Sequence, residues 1–243
     1  MRCAGQSSCR KAWIRSSLFS SLASDKVNRV KIGVYLLAGL LAALIFSGGC
    51  GKSKTTYSAI PAGSVVLAFG DSVTHGTGAG ANEDFPTQLE RLSGWRMENY
   101  GVPGDTSAGA LGRIEAALRE TRPAMVIVEI GGNDFLRRVS DEAVKENVRS
   151  ILQRIRQFGS IPVLVATPSF SPLGAAIGKL PDAELYAQLA KEESVLLIPD
   201  IFAEVLSDSK LKSDYIHPNA IGYRKMAEGI AAELAQAGLL KPR

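Results

Sequence analysis

The segment from Phe69 to Gly76, FGDSVTHG, sets Ser72 and His75 three residues apart directly after an apolar run. A serine hydroxyl is a poor nucleophile until a base within about 2.6–3.2 Å can take its proton. The chain offers two histidines for that task, His75 and His217. If Ser72 opens a helix, His75 lies one turn further on, and an i, i+3 contact is sterically open to it. No neighbouring group would then fix the His75 tautomer, so His75 reads as a rim residue. His217 sits in SDYIHPN, with Asp214 three residues before it. A carboxylate at that spacing can orient the ring and stabilise the imidazolium formed when it accepts the serine proton. Pro218 biases His217 away from helix, which puts the pair in a loop entering the last helix. The expected catalytic set is therefore Ser72, His217 and Asp214.

Something must carry these residues to one place. Five runs read as strands: SVVLAF (64–69), RMENY (96–100), AMVIVEI (124–130), IPVLVA (161–166) and VLLI (195–198). Three are almost continuously apolar, as expected where helices cover both faces of a parallel sheet. Helical patterns fall between them, at about 85–92, 108–119, 141–158, 182–193 and 220–236. In the third, Val144, Val148, Ile151, Leu152 and Ile155 share one face behind a start capped by Ser140. The alternation predicts an α/β fold of three layers, a flavodoxin-like, doubly wound, five-stranded parallel sheet. Sites in such sheets form beyond the carboxyl ends of the strands. Gly70-Asp71-Ser72, the loop Gly101 to Ser107, and Gly131-Gly132-Asn133-Asp134 all fall there.

Charge separates the chain into two parts. Residues 1–50 hold seven of the 28 Lys and Arg and one of the 24 acids, which leaves the remainder near −2. A body of that charge has no electrostatic footprint for nucleic acid. The basic segment instead precedes IGVYLLAGLLAALIF, Ile32 to Phe46, and then SGGC. A basic flank, a short apolar stretch and a small-residue exit describe a signal for export. Cys50 has no thiol partner after that stretch and resembles the lipidated cysteine of bacterial lipoproteins, although Ser47 stands where leucine is usual. Ser47 and Gly49 also fit ordinary signal cleavage. The expectation is an exported bacterial protein: export segment 1–50, polar tether 51–63, catalytic domain 64–240, and anchoring to the membrane through lipidated Cys50.

Gly70-Asp71-Ser72, Gly104 in NYGVPGDTS, Asn133 in GGND and Asp214-x-x-His217 together resemble the four signature blocks of the SGNH/GDSL hydrolases, in order, over about 65–236. NYGVPGDTSAG, VEIGGND and IHPN are most similar to the branch of arylesterases and thioesterase I/lysophospholipase L1 enzymes. The resemblance implies that Ser72 is the nucleophile, His217 the base and Asp214 its orienting partner. It also implies an oxyanion hole made by the backbone N–H groups of Ser72 and Gly104 and the side-chain amide of Asn133. No cofactor and no metal are implied. Asp71 and Phe135 stand as candidate substrate-binding residues. Phe135 would narrow an acyl groove, or would pack inward to anchor its loop. The expected substrates are small carboxylic esters, with thioesters and lysophospholipids open, and a sugar O-deacetylase or a non-catalytic glycan- or lipid-binding lipoprotein as alternatives.

Two other chemistries fit less well. GTGAGA (76–81) formally matches a dinucleotide-binding glycine motif, but it begins well beyond the strand end and runs into Asn82-Glu83-Asp84, acids where a pyrophosphate would sit. Two histidines 142 residues apart, with no cysteine beyond Cys50, make no recognisable metal set.

Overall fold

The computed structural model describes residues 57–169 and 180–241. The segments assigned to export and lipidation, Cys50 included, lie outside the described residues. Five parallel strands form one sheet: β1 (Val65–Gly70), β2 (Arg96–Gly101), β3 (Met125–Glu129), β4 (Ile161–Val165) and β5 (Leu196–Ile198), in the order β2-β1-β3-β4-β5. This is the flavodoxin-like order, whose switch point lies between β1 and β3.

The apolar runs of the strands are explained by period two. Successive side chains point to opposite faces, and both faces are covered. Val66, Ala68, Met125, Ile127, Val163 and Val165 enter one core, whereas Leu67, Phe69, Val126, Val128 and Leu164 enter the other. The first core is closed by helices α2 (Phe85–Ser93) and α8 (Ala220–Gln236), and the second by α3 (Ser107–Thr121), α5 (Asp141–Gln157) and α6 (Glu184–Glu193). The five apolar residues expected on one face of α5 are all fully buried, and Ser140 caps that helix through Ala143 N–H. Burying each such side chain contributes about 1.5–3 kcal/mol.

Three short helices complete the described fold: α1 (Ser72–His75), α4 (Gly132–Leu136) and α7 (Ile201–Ser207). The last two have no counterpart in the sequence pattern, because five and seven residues are too few to show a helical period. Of the segment 51–63 expected as a polar tether, residues 51–56 lie outside the described residues. Residues 57–63 belong to the fold, since Tyr57 and Ile60 donate backbone hydrogen bonds to Ala237 and Leu239, and the buried Trp95 indole donates to the Ile60 carbonyl. Burial of Ile60 in the first core gives that short segment its hold.

Candidate active site

β1 delivers the serine. Asp71 follows the strand and caps α1, its Oδ1 accepting from Val73 N–H at 3.0 Å, so Ser72 becomes the first helical residue. His75 ends the same helix and is exposed, while the Ser72 hydroxyl turns elsewhere. Its Oγ lies 3.0 Å from Nε2 of His217.

The loop before α8 is built to present that ring. Asp214 Oδ1 accepts the backbone N–H groups of Ile216 and His217, each at 2.8 Å, which closes a tight turn. Its other oxygen meets His217 Nδ1 at 2.8 Å. Ser213 N–H donates to the His217 carbonyl, and Asn219 both caps α8 and donates its side-chain amide to the Lys210 carbonyl. Partial burial opposes the charge on Asp214, but the hydrogen bonds from His217 and the Ile216 and His217 backbone outweigh it and hold the carboxyl below its ordinary value. An ionised carboxylate only accepts. Nδ1 therefore carries the ring hydrogen, and the Nε2 lone pair faces the serine O–H. This arrangement can draw a proton from Ser72 as its oxygen attacks.

β3 delivers the amide. Gly131 has a φ of 126°, and a side chain there would collide with the Tyr186 hydroxyl, which donates to the Ile130 carbonyl at 2.7 Å. Glycine is required on both counts. The turn it permits starts α4 and puts Asn133 beside Asp71, with Asn133 Nδ2 donating to Asp71 Oδ2 at 3.2 Å. One amide hydrogen is thus fixed and the other is left for the cleft. Asp134 locks α4 to α3, accepting from the Ser107 backbone N–H at 2.8 Å and its hydroxyl at 2.7 Å. Gly104, after β2, holds a left-handed φ of 79°, and its carbonyl accepts from Arg137 at 3.0 Å. Among the described residues no backbone acceptor takes the N–H of Ser72 or of Gly104.

The cleft beside Ser72 and His217 encloses about 20 Å³ and has Val73, Leu136, Phe202 and Ile216 as its apolar wall. Phe135, expected either to narrow an acyl groove or to pack inward and anchor its loop, is not part of that lining. Helical geometry turns it toward the second core, where its ring meets Tyr186 edge-on at 6.4 Å and 86°, and the neighbouring Leu136 faces the cleft instead. Asp71, the other candidate for substrate contact, lines the cleft but has both carboxylate oxygens engaged by Val73 and Asn133. It positions the amide.

Beneath Asp71 lies a residue that the sequence reading passed over. Glu129, the last residue of β3, is fully buried, and its Oε2 accepts from the Thr74 hydroxyl at 3.0 Å. Its Oε1 has no partner among the described residues. Burial and the adjacent Asp71 carboxylate push Glu129 well up. Burial also pushes Asp71 up to about 6, against the pull of the Val73 N–H, the His217 ring and the Asn133 amide. The available signal was an acid closing an otherwise apolar strand, VEI. Among the described residues no group of three or more His, Cys, Asp or Glu side chains could hold a metal ion.

Known proteins resemble this chain in sequence and fold. Residues 68–225 match the model of the GDSL-like Lipase/Acylhydrolase family. The chain is 29% identical to Esterase TesA of Pseudomonas aeruginosa over 200 residues, 78% of this chain and 96% of that protein. It is 32% identical to Thioesterase 1/protease 1/lysophospholipase L1 of Escherichia coli K12 over 178 residues, 71% of this chain and 84% of the relative. The crystal structure of AlinE4, an SGNH-hydrolase family esterase, superposes with a TM-score of 0.56 at 30% identity, covering 74% of this chain and 98% of AlinE4.

Proposed function

Since the chain belongs to the GDSL-like lipase/acylhydrolase family and is a serine ester hydrolase, we propose that Ser72 is its nucleophile, His217 the general base and acid, and Asp214 the group that orients the imidazole. Ser72 Oγ attacks the ester carbonyl carbon while its proton passes to His217 Nε2. The carbonyl oxygen becomes an oxyanion, received by the Ser72 and Gly104 N–H groups and the free hydrogen of the Asn133 amide. Collapse of the tetrahedral intermediate breaks the bond to the alcohol, which leaves with the proton from His217. Water then repeats the sequence on the acyl-serine, with His217 again as base, and releases the acid. The observation that carries this reading is the unbroken hydrogen-bonded line Ser72 Oγ, His217 Nε2, His217 Nδ1, Asp214 Oδ2, at 3.0 and 2.8 Å.

The favoured substrates are small carboxylic esters. The four apolar side chains beside the serine, Val73, Leu136, Phe202 and Ile216, suit a short uncharged acyl group. The name of the Escherichia coli relative pairs thioesterase with lysophospholipase, so acyl thioesters belong in the same panel. The full chain should hydrolyse p-nitrophenyl acetate faster than the butyrate, with little turnover of the palmitate, and Ser72→Ala should abolish all of it. Activity that persists in Ser72→Ala would exclude the serine mechanism, and a profile rising toward palmitate would exclude the short acyl pocket.

The N-terminal sequence supports an export role for residues 1–50 and lipid attachment at Cys50. Mass measurement of the mature N-terminus tests this, because a diacylated Cys50 and an unmodified residue differ by the mass of the lipid.

A further inference from the structure

We infer that Arg113, a residue of α3 outside the Ser72–His217–Asp214 line, is a positioning residue for the reaction: its guanidinium aims the Gly104 N–H by fastening the loop after β2 to the turn that carries Ser72. The inference rests on the assignment of Gly104 to the oxyanion hole. Three nitrogens of this one side chain serve three separate partners, two backbone carbonyls and one carboxylate. Nη2 donates to the Gly70 carbonyl at 2.7 Å, two residues before Ser72. Nη1 donates to the Tyr100 carbonyl at 2.9 Å, at the end of β2. Nε donates to Asp105 Oδ2 at 2.7 Å, and Asp105 directly follows Gly104. The guanidinium also lies 4.0 Å over the Phe69 ring, at the end of β1.

One other side chain acts on Gly104 directly, Arg137, whose Nη2 donates to its carbonyl at 3.0 Å. Its loop is closed by Val102 N–H to the Gly70 carbonyl at 3.1 Å and Asp105 N–H to the Val102 carbonyl at 3.0 Å. These bonds and Arg137 hold the carbonyl side of Gly104, whereas among the described residues no backbone acceptor takes its N–H, whose direction follows the loop. Asp105 is the handle on that loop, and Arg113 is what holds the handle. The helix carrying Arg113 is fixed in turn, by the Thr106 cap and by Asp134 gripping Ser107 at its first turn. A planar fork can reach three acceptors in fixed directions, and an ammonium on a flexible stem cannot. Displacements near 1 Å at a reacting centre cost about 10²-fold in rate, so loss of this fork should be felt in the chemical step more than in substrate binding.

The test compares the full chain with Arg113→Lys and Arg113→Ala on p-nitrophenyl acetate, following kcat, KM and thermal midpoint, with and without added guanidinium ion. The expected result is a fall in kcat of about 10–100-fold in both variants, with KM within about threefold. Guanidinium should restore part of the lost kcat in Arg113→Ala and none in Asn133→Ala. Wild-type kcat in Arg113→Lys would overturn the inference, because the fork would then be dispensable. A lost kcat that follows a lowered thermal midpoint and ignores guanidinium would also overturn it, in favour of a purely structural role. Turnover that survives Ser72→Ala would overturn the reading of the whole site, and Ser72-dependent turnover indifferent to Arg113 would overturn this inference alone.

Discussion

Two aspartates flank the bond between Ser72 and His217. The side chain of Asp214 is 52% exposed and is held below its ordinary carboxyl value by three hydrogen-bond donors. Asp71 is 2% exposed and is pushed up to about 6, chiefly by burial. The residue type is the same and the two lie on opposite sides of one serine, so the difference belongs to the surroundings. Solvent and donors keep the first anionic, as an orienting carboxylate must be. Desolvation, against the pull of the Val73 N–H, the His217 ring and the Asn133 amide, leaves the second near 6, where it holds an amide. Two carboxylates therefore do two tasks at one centre, divided by environment.

The contrast can be broken most severely at the exposed member. Asp214→Asn keeps the Oδ1 contacts of the turn but presents an amide to Nδ1, which reverses the tautomer. A loss of about 10⁴-fold in kcat is expected, with the thermal midpoint almost unmoved because the residue is on the surface. Steady-state rates and a melting curve on the same sample check both halves.

Asn133→Ala comes next. It removes an amide proposed as an oxyanion donor and should lower kcat by about 10²–10³-fold with KM little changed. An equal effect on KM would mean that the amide binds ground-state substrate.

The buried member answers on a different axis. A carboxyl whose folded value is raised contributes stability that is complete below its unfolded value near 3.8 and is lost as pH rises through about 6. Asp214 has the opposite sign, its contribution being present above 3.8 and lost as pH falls through its depressed value. Asp71→Asn, which keeps a capping side chain, should flatten the fall in stability between about pH 4 and 6, by on the order of 3 kcal/mol. Denaturant melts at several pH values measure it, and an unchanged slope would assign the titration to another group.

The smallest effect is expected at His75. It is exposed and lies away from the serine hydroxyl, so His75→Ala should leave kcat within about twofold, and a large loss would reopen the choice between the two histidines.

The pairing of Ser72 with His217 and Asp214 was legible because each sits at a strand exit or helix entrance marked by glycine, proline or asparagine, and such punctuation survives in a bare sequence. The strand order was partly legible, since alternating strands and helices admit few parallel arrangements. The roles of Asp71, Glu129 and Arg113 were not. Each depends on which backbone oxygen or side chain happens to stand opposite, and those partners are 43 to 62 residues away in the chain: Gly70 for Arg113, Thr74 for Glu129 and Asn133 for Asp71. Phe135 shows the same limit from the other side. Its place next to GGND put it near the site, and only the rotation of a five-residue helix decided that Leu136 would face the cleft.

The backbone bonds from Tyr57 to Ala237 and from Ile60 to Leu239 bring the first and last described segments of the folded unit side by side. They meet where β1 begins, whereas Ser72 lies beyond its far end, a strand of six residues or about 20 Å away. A short glycine-serine bridge could therefore splice 241 back to 57, with new ends cut at the exposed turn around Gly159, to give a circular permutant whose catalytic edge is untouched. For the same reason, a bead or electrode coupled at that seam would leave the mouth of the cleft facing the bulk solution.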